Sequence, residues 1–435
     1  MATYTTVHIS LAAVFKKKKW VVFGCLNMMV LAIIVLIQQT MYVRVNKLWK
    51  RPFAQLNKNL TLEQHLKHRQ TLSLLDVPGD VRIFGNRKEI HHVGYLKVHK
   101  TASTTMFNIF SRFALSRNLT VALPLRTNYL SSSVSPRSWQ IQPPPFNKTF
   151  DMVFHHCFFN DIVFKSLLPD NSVFIASVRD PVSRFISAFN YFRNVYKMSY
   201  LKRIKSEDRR VHPIHEYLRH LALYDTRMTS PTRNAMVRDF GFPPKYLQNQ
   251  TMFEGFLGKL DTFFDLVLVV EYFNESLVLM KRLLNWHIKD ILYTPLVSGD
   301  SRHEDEVKLT ENEIQKYKQF SNLDVTLYEF FLKKFKLTLL KQDETFFQEL
   351  NYFKKLLDNV KSYCNSGSGE IFHVQKSKWD QEFMLNLSDC KYMKTGELEL
   401  TKIMKSNQQK LVSVAGSNKQ FSLNNLGGSG SAFKP

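Results

Sequence analysis

The sequence predicts an α/β fold in which a P-loop-like parallel sheet carries flanking helices, with an N-terminal transmembrane helix ahead of it. Three observations lead there. Short apolar runs alternate with amphipathic helical stretches, the pattern of parallel strands joined by crossover helices. Two of the strand–loop–helix units, about eighty residues apart, share one design, a strand that hands a cation to a helix start. Trp20 to Ile37 is an 18-residue stretch without a charge, near the short limit for a spanning helix.

The N-terminal elements follow from charge. Lys16 to Lys19 abut the apolar stretch on one side, whereas the next basic residue on the other is Arg44. The positive-inside rule assigns 1–19 to a cytoplasmic tail, 20–37 to a signal anchor and the remainder to a lumen or the exterior. Gln38-Gln39-Thr40-Met41 has no small-residue cleavage site, so a type II anchor is expected rather than a removed signal peptide. Its shortness suits a thin Golgi or early-secretory bilayer. Residues 38–87 lack sustained periodicity and read as a stem, 88–411 as the folded luminal domain, and the Gly/Ser/Asn-rich 412–435 as a disordered tail. At 44% hydrophobic, the 435 residues can bury a large core in one or two domains. The formal charge of +23 implies an anionic partner, and an anchored luminal domain argues against nucleic acid.

Within the folded part, a strand at Val93 leads to a helix marked by Met106, Ile109, Phe110 and Phe113 at i, i+3, i+4 and i+7. Leu119 to Leu123 reads as a short strand closed by Pro124, followed by a Ser/Pro/Asn-rich loop to Lys148. Phe150 to Phe154 and Val173 to Val178 are strands, and Val182, Phe185, Ile186 and Phe189 mark the next helix face. Residues 197–250 are basic and polar and read as helical with long loops, with the character of an acceptor-facing lid. Phe264 to Val270 reads as a strand buried on both faces, with a helix from Asn274 to about Trp286. Residues 310–362 read as helical.

The chemistry sits in the two units. The first runs Val93-Gly94-Tyr95-Leu96-Lys97-Val98-His99-Lys100-Thr101-Ala102-Ser103-Thr104-Thr105, the second Val173-Phe174-Ile175-Ala176-Ser177-Val178-Arg179-Asp180-Pro181. In each, free N–H groups and the dipole at a helix start favour an anion. Two such sites suit a ligand with two separated phosphates, the shape of 3′-phosphoadenosine 5′-phosphosulfate (PAPS). The Lys100 loop lacks the glycines of a Walker A loop and has no evident acidic Mg²⁺ partner, which weakens a kinase or NTPase reading. Lys100 with the hydroxyls of Thr101, Ser103, Thr104 and Thr105 and the N–H of Ala102 can still cradle a phosphosulfate, although the same run also suits an ordinary helix start. Asp180 suits an N-cap and Pro181 suits N1, leaving Arg179 and Ser187 as functional candidates. From pattern alone Ser187 fits a solvated helix flank equally well. His155 and His156 face opposite sides of a strand, so only one can enter a given site as a base; no His/Cys group has metal-ligand spacing, and no metal is expected.

Cys364 and Cys390 flank a loop that a disulfide would close, worth roughly 3 kcal/mol on the chain-entropy account. Cys157 is then left as a buried thiol. Six Asn-X-Ser/Thr sequons, at Asn59, Asn118, Asn147, Asn249, Asn274 and Asn386, agree with a luminal body; Asn274 could equally cap a helix.

Leu96 to Thr105 resembles the 5′-phosphosulfate loop of the galactose 3-O-sulfotransferase family. Val178-Arg179-Asp180-Pro181, with Arg184 and Ser187, is similar to that family's 3′-phosphate motif, and Glu271 to Leu279 resembles a third segment in order. The resemblance covers roughly 90–300 and implies the PAPS-dependent sulfotransferase fold. It implies that Lys100 contacts the 5′-phosphosulfate and that Arg179 and Ser187 hold the 3′-phosphate. It further implies that His156 is the base, an assignment that also draws on the uronyl 2-O-sulfotransferases. The reaction implied is transfer of the sulfuryl group of PAPS, without a metal, to the 3-hydroxyl of a terminal β-galactose. The acceptor would be a glycolipid of galactosylceramide type or a glycoprotein glycan. Leu296-Val297-Ser298-Gly299-Asp300 departs from the family's basic, Asn-containing run, which bears on acceptor recognition. The alternatives are a uronyl or other sugar O-sulfotransferase, and a non-catalytic membrane-anchored glycan-binding protein.

Overall fold

The computed structural model describes residues 88–410 apart from 126–128, 131–139, 146–148, 209, 227–229, 248, 295–306 and 368. The expected anchor, stem, tail and the Leu296–Asp300 run lie outside the described residues. Among those described, no helix is long and apolar enough to cross a membrane.

Four parallel strands stand in the order β2-β1-β3-β4: β1 Val93–Leu96, β2 Met152–Val153, β3 Val173–Val178 and β4 Leu266–Val269. Val93 pairs with Met152 on one side and Val173 on the other, and Ile175 pairs with Leu266. The chain steps outward from β1 to β2, then recrosses to β3. The connections therefore reverse direction between β1 and β3, and loops at the C-terminal ends of such neighbours frame a ligand crevice.

Helix α1 (Ser103–Ser116) follows β1 and α2 (Asp161–Leu167) precedes β3. Helix α3 (Pro181–Asn190) follows β3, while α4 (Gln250–Phe263) and α5 (Phe273–Leu284) bracket β4. The apolar stripe of α1 is buried as its spacing requires, and Phe113 stacks on Trp286 with centroids 3.6 Å apart. A single π-helical turn, Tyr191–Val195, extends α3. The expected helical region over 310–362 is three helices, α6 Glu311–Phe320, α7 Asn322–Leu340 and α8 Glu344–Ser366. A hairpin of β5 (Phe372–Val374) and β6 (Phe383–Leu385), then α9 (Leu387–Lys394) and a helix over 397–410, complete the described chain.

Three expectations are corrected. Leu119–Leu123 is no strand: only Val121 bridges Met152, because the Asp151 carboxylate takes the Thr120 N–H and hydroxyl and bends the chain off the ladder. The Phe264–Val270 strand begins only at Leu266, since the Asp265 carboxylate accepts the Phe174 N–H at 2.8 Å. Residues 197–250 form more than a polar lid. Their short helices bury Leu201, Ile214 and Tyr217 against Phe185 and Phe189 of α3 and Tyr317 of α6, a second core beside the sheet.

Cys364 and Cys390 are bonded, and Cys157 is a buried thiol whose pKa burial pushes up. Gly241 has φ +87°, and a Cβ there would lie 2.2 Å from the Phe159 carbonyl oxygen. This contact seats the 239–241 turn against the segment after β2. Gly241→Ala is expected to destabilise the protein by about 1–3 kcal/mol through strain and overpacking; an unchanged urea midpoint would contradict that placement.

Candidate active site

The two cation-bearing loops are lashed together beneath their surface. Thr101 is fully buried; its hydroxyl lies 3.0 Å from the Val98 carbonyl and 2.7 Å from Ser177 Oγ, which in turn meets the Tyr95 hydroxyl at 2.9 Å. Tyr95 and Ser177 lie on neighbouring strands, so this buried chain fixes the spacing of the two loops. Above it, Arg179 donates Nη1 to the Lys100 carbonyl at 3.3 Å. The Thr101 hydroxyl thus points into the fold, and Thr101 has only backbone to offer an anion.

Lys100 (φ 63°) and Ala102 (φ 54°) both adopt left-handed conformations. Each costs on the order of 1 kcal/mol for a non-glycine residue and persists where the surroundings impose it. Ala102 is the N-cap of α1 and makes no side-chain cap, so no capping side chain covers the first turn of α1, where Ser103 is buried, Thr105 half-buried and Thr104 exposed. Lys100 Nζ lies 4.4 Å from the Tyr191 ring centre. An uncapped helix start and one ammonium at the same place favour an anion.

At the second loop, Asp180 caps α3 by accepting the Ser183 N–H (2.8 Å) and hydroxyl (2.9 Å), with Pro181 at N1. The Asp180 N–H donates to Glu271 Oε1 at 2.8 Å, so the third resembling segment buttresses the second. Ser187 is 2% exposed, not on a solvated flank. Arg184, fully buried, donates to the Pro231 and Thr232 carbonyls and lies 3.8 Å from Asp324, a structural role.

His156 follows β2 and is buried, with Nδ1 2.7 Å from the Lys97 carbonyl. The carbonyl can only accept, so Nδ1 carries the hydrogen and Nε2 is the basic atom. Burial holds its pKa well below the ordinary histidine value, with the neighbouring His99 and Lys97 acting the same way. Against its ring stands His99, centroids 3.5 Å apart. His99 Nδ1 donates to Asp239 Oδ2 at 2.8 Å, and the same oxygen accepts the His99 N–H at 2.7 Å. Asp239 is fully buried and its carboxyl is held far below the usual range: His99 and its hydrogen bond overcome the cost of burial.

The loop sequence did not single out His99, and Asp239 lies 140 residues away on the short helix Ala235–Asp239. Only tertiary structure joins them. His99, His156 and Asp239 each place a ligand atom within 4.8 Å of the others, a cluster that spacing did not foretell. Two imidazoles sharing one zinc would hold their centroids roughly 5 Å apart, so rings 3.5 Å apart and edge to face are packed partners rather than co-ligands.

Both histidines open onto a cleft of about 490 Å³ walled by Tyr129, Phe158, Phe192, Tyr196 and Phe242. Elsewhere, Asn118, Asn249 and Asn386 are exposed, and the last two cap helices. Asn274 lies inside α5, half-buried, its Oδ1 accepting from the Tyr293 hydroxyl at 3.0 Å. Asn59 and Asn147 lie outside the described residues.

Two helix starts that each carry a cation at the crevice of a parallel sheet, beside a carboxylate-oriented histidine, have the architecture of a group-transfer domain. The family model described as galactose-3-O-sulfotransferase matches residues 15–373, and the chain belongs to that family. It is 27% identical over 265 residues to human galactose-3-O-sulfotransferase 2, covering 59% of this chain and 64% of that protein. To human galactosylceramide sulfotransferase it is 29% identical over 247 residues, 56% of each. To mouse galactose-3-O-sulfotransferase 3 it is 30% identical over 214 residues, 47% of each. The chain thus spans about half to under two thirds of the length of these relatives.

His155, on the opposite face, is fully buried with Nε2 3.1 Å from Thr401 Oγ1, and burial lowers its pKa to about 3. For a histidine depressed on folding, the unfolded chain takes up the proton first. Stability is full above the unfolded value of about 6.5 and falls as pH drops from there toward about 3, by ~1.4 kcal/mol per pH unit per histidine. Urea unfolding at a series of pH values below 6.5 should show that loss, smaller in His155→Gln; a flat profile would contradict the buried neutral ring.

Proposed function

We propose that this protein transfers the sulfuryl group of PAPS to the 3-hydroxyl of a galactose on a glycolipid of galactosylceramide type or on a glycan. The lashed pair of anion sites beside the His99–Asp239 dyad carries the reading. The Lys100 loop takes the 5′-phosphosulfate; Arg179 and Ser187 take the 3′-phosphate. The acceptor hydroxyl attacks sulfur, the bond from sulfur to the bridging phosphate oxygen breaks, and 3′,5′-ADP leaves. Lys100 and the loop N–H groups stabilise the charge on the departing oxygen. The residues in hand can supply each of these roles without a metal.

The proton goes to a histidine Nε2. His156 is the base the family resemblance implies, but its Nδ1 partner is a neutral carbonyl and its burial resists charge. His99 has an ionised carboxylate behind it, which orients the ring and stabilises the imidazolium. We therefore assign the base to His99, with Asp239 orienting it and His156 packing it in place.

The cleft favours a neutral sugar. Among the described residues its wall is aromatic and proline-rich, and the one Arg or Lys that lines it, Arg238, donates Nη1 to the Ser230 carbonyl at 2.7 Å. A uronic acid would ask for unengaged cations, whereas the apolar face of galactose suits aromatic walls. Residues 20–37 anchoring the chain as a type II protein of the Golgi membrane, with the domain luminal, complete the proposal; the uncharged stretch and its lysine flank support it.

Sulfate transfer from labelled PAPS to galactosides, glycolipids and uronic-acid polymers tests the reading, and transfer to none of them would overturn it. His99→Ala should lose about 10²–10⁴-fold in turnover with 3′,5′-ADP affinity little changed, and Asp239→Asn should lose activity in the same direction. Near-normal turnover in His99→Ala, with selective loss in His156→Ala, would return the base to His156.

Arg179→Ala is expected to weaken 3′,5′-ADP by ~2–5 kcal/mol while leaving 5′-AMP, which lacks the 3′-phosphate, almost unaffected. Calorimetric binding of both nucleotides checks this, and equal losses for the two would remove Arg179 from the 3′-phosphate site.

A further inference from the structure

We propose that the C-terminal arm, residues 387–410, is part of the active site, with Glu397 a positioning residue for Lys97 and, through it, for His156. The proposal rests on the functional reading above for what the histidines do and on geometry for the rest. The arm lies beyond residue 373, where the family match ends.

Four anchors fix it. The Cys364–Cys390 bond ties α9 to α8. Asn108 of α1, 2% exposed, donates Nδ2 to the carbonyls of Tyr392 (2.9 Å) and Thr395 (3.0 Å). The Val121 N–H donates to Gln408 Oε1 at 2.7 Å. Thr401 gives its hydroxyl hydrogen to the Glu397 carbonyl and accepts from His155 Nε2. Leu400 and Met404 are buried in the main core.

From this fixed helix, Glu397 reaches inward. Its Oε2 lies 3.0 Å from Lys97 Nζ, with the side chains only 16% and 11% exposed. The Lys97 carbonyl accepts the His156 Nδ1–H. An ammonium this buried is costly without its counter-charge, so the placement of Lys97 depends on Glu397. The carboxylate also raises the phenol pKa values of Tyr129, which walls the cleft, and Tyr191, which lies under Lys100, in each case adding to burial. His156 is faced by His99 and Lys97, which disfavour its protonation, and by Asp239, which favours it. Removing Glu397's charge leaves the Lys97 cation uncompensated beside His156.

The test uses the full chain and compares Glu397→Gln and Glu397→Asp with wild type. Glu397→Gln should lower kcat on a galactoside by about 10–100-fold, as small misplacements in an active site do. It should shift the acid limb of the kcat profile to lower pH, because protonating the base becomes harder in a more positive site. Affinity for 3′,5′-ADP should stay within about twofold, and Glu397→Asp should recover part of kcat. A residue that served only stability would lower the folded fraction without moving the pH limb, and that result, or a wild-type kcat and profile, overturns the proposal. If wild type sulfates no galactoside, the functional reading fails separately. Positioning is then judged from the ¹³Cε1 resonance of His156, assigned with His156→Gln: a shift in Glu397→Gln supports the proposal, and no shift overturns it.

Discussion

Everything in this molecule hangs on one buried hydroxyl chain, from Tyr95 through Ser177 to Thr101 and the Val98 carbonyl. It joins adjacent parallel strands just below the point where their loops diverge. Without it, the left-handed conformations at Lys100 and Ala102 would have little to impose them. With it, two helix starts are held at a set distance and angle, and the ligand need not organise them on arrival.

The second core does the corresponding job for the proton-handling side. Arg184 of α3 neighbours Asp324 of α7, and Asp324 accepts the N–H groups of Met236 and Val237. Asn234 accepts the N–H groups of Leu323 and Asp324. These bonds fix the start of the short helix that ends in Asp239. The π turn at Tyr191–Val195 then spans the two halves, with Tyr191 beneath Lys100 and Phe192 in the cleft wall. Buried polar groups bonded to backbone do here what apolar packing does in the sheet.

Much of this was readable before folding. Continuous apolar strands and clean i, i+3, i+4, i+7 stripes identify β1, α1, β3 and α3, because periodicity is a local property. The Asp180-Pro181 start of α3 was equally legible, since capping chemistry is local. What stayed hidden depends on distant partners. The Thr101 hydroxyl looked like a ligand until Ser177 claimed it. Ser187 could not be assigned to a face without knowing that 197–250 builds a core of its own. Asp239 carries no signal beyond being an aspartate in a basic stretch, and Glu397 sits in an unremarkable charged helix. The strand expected at Leu119–Leu123 dissolved because one carboxylate, Asp151, takes the Thr120 N–H and hydroxyl away from the ladder.

The contacts of the 397–410 helix have a consequence for biosynthesis. The bridge at Val121 lies on the open side of β2, the outermost strand, and Gln408 takes the Val121 N–H. Thr401 meets His155 just past the same strand. Chains emerge at about 5–20 residues per second, N-terminal parts first. For roughly ten to thirty seconds, therefore, a nascent domain has its four strands and both cation-bearing loops but lacks the segment that shields this border. An unshielded border of that kind invites pairing with other chains. The last-made of the described helices thus seals what the first-made strands leave open, and ribosomes that stop before it would release a sheet with one raw side.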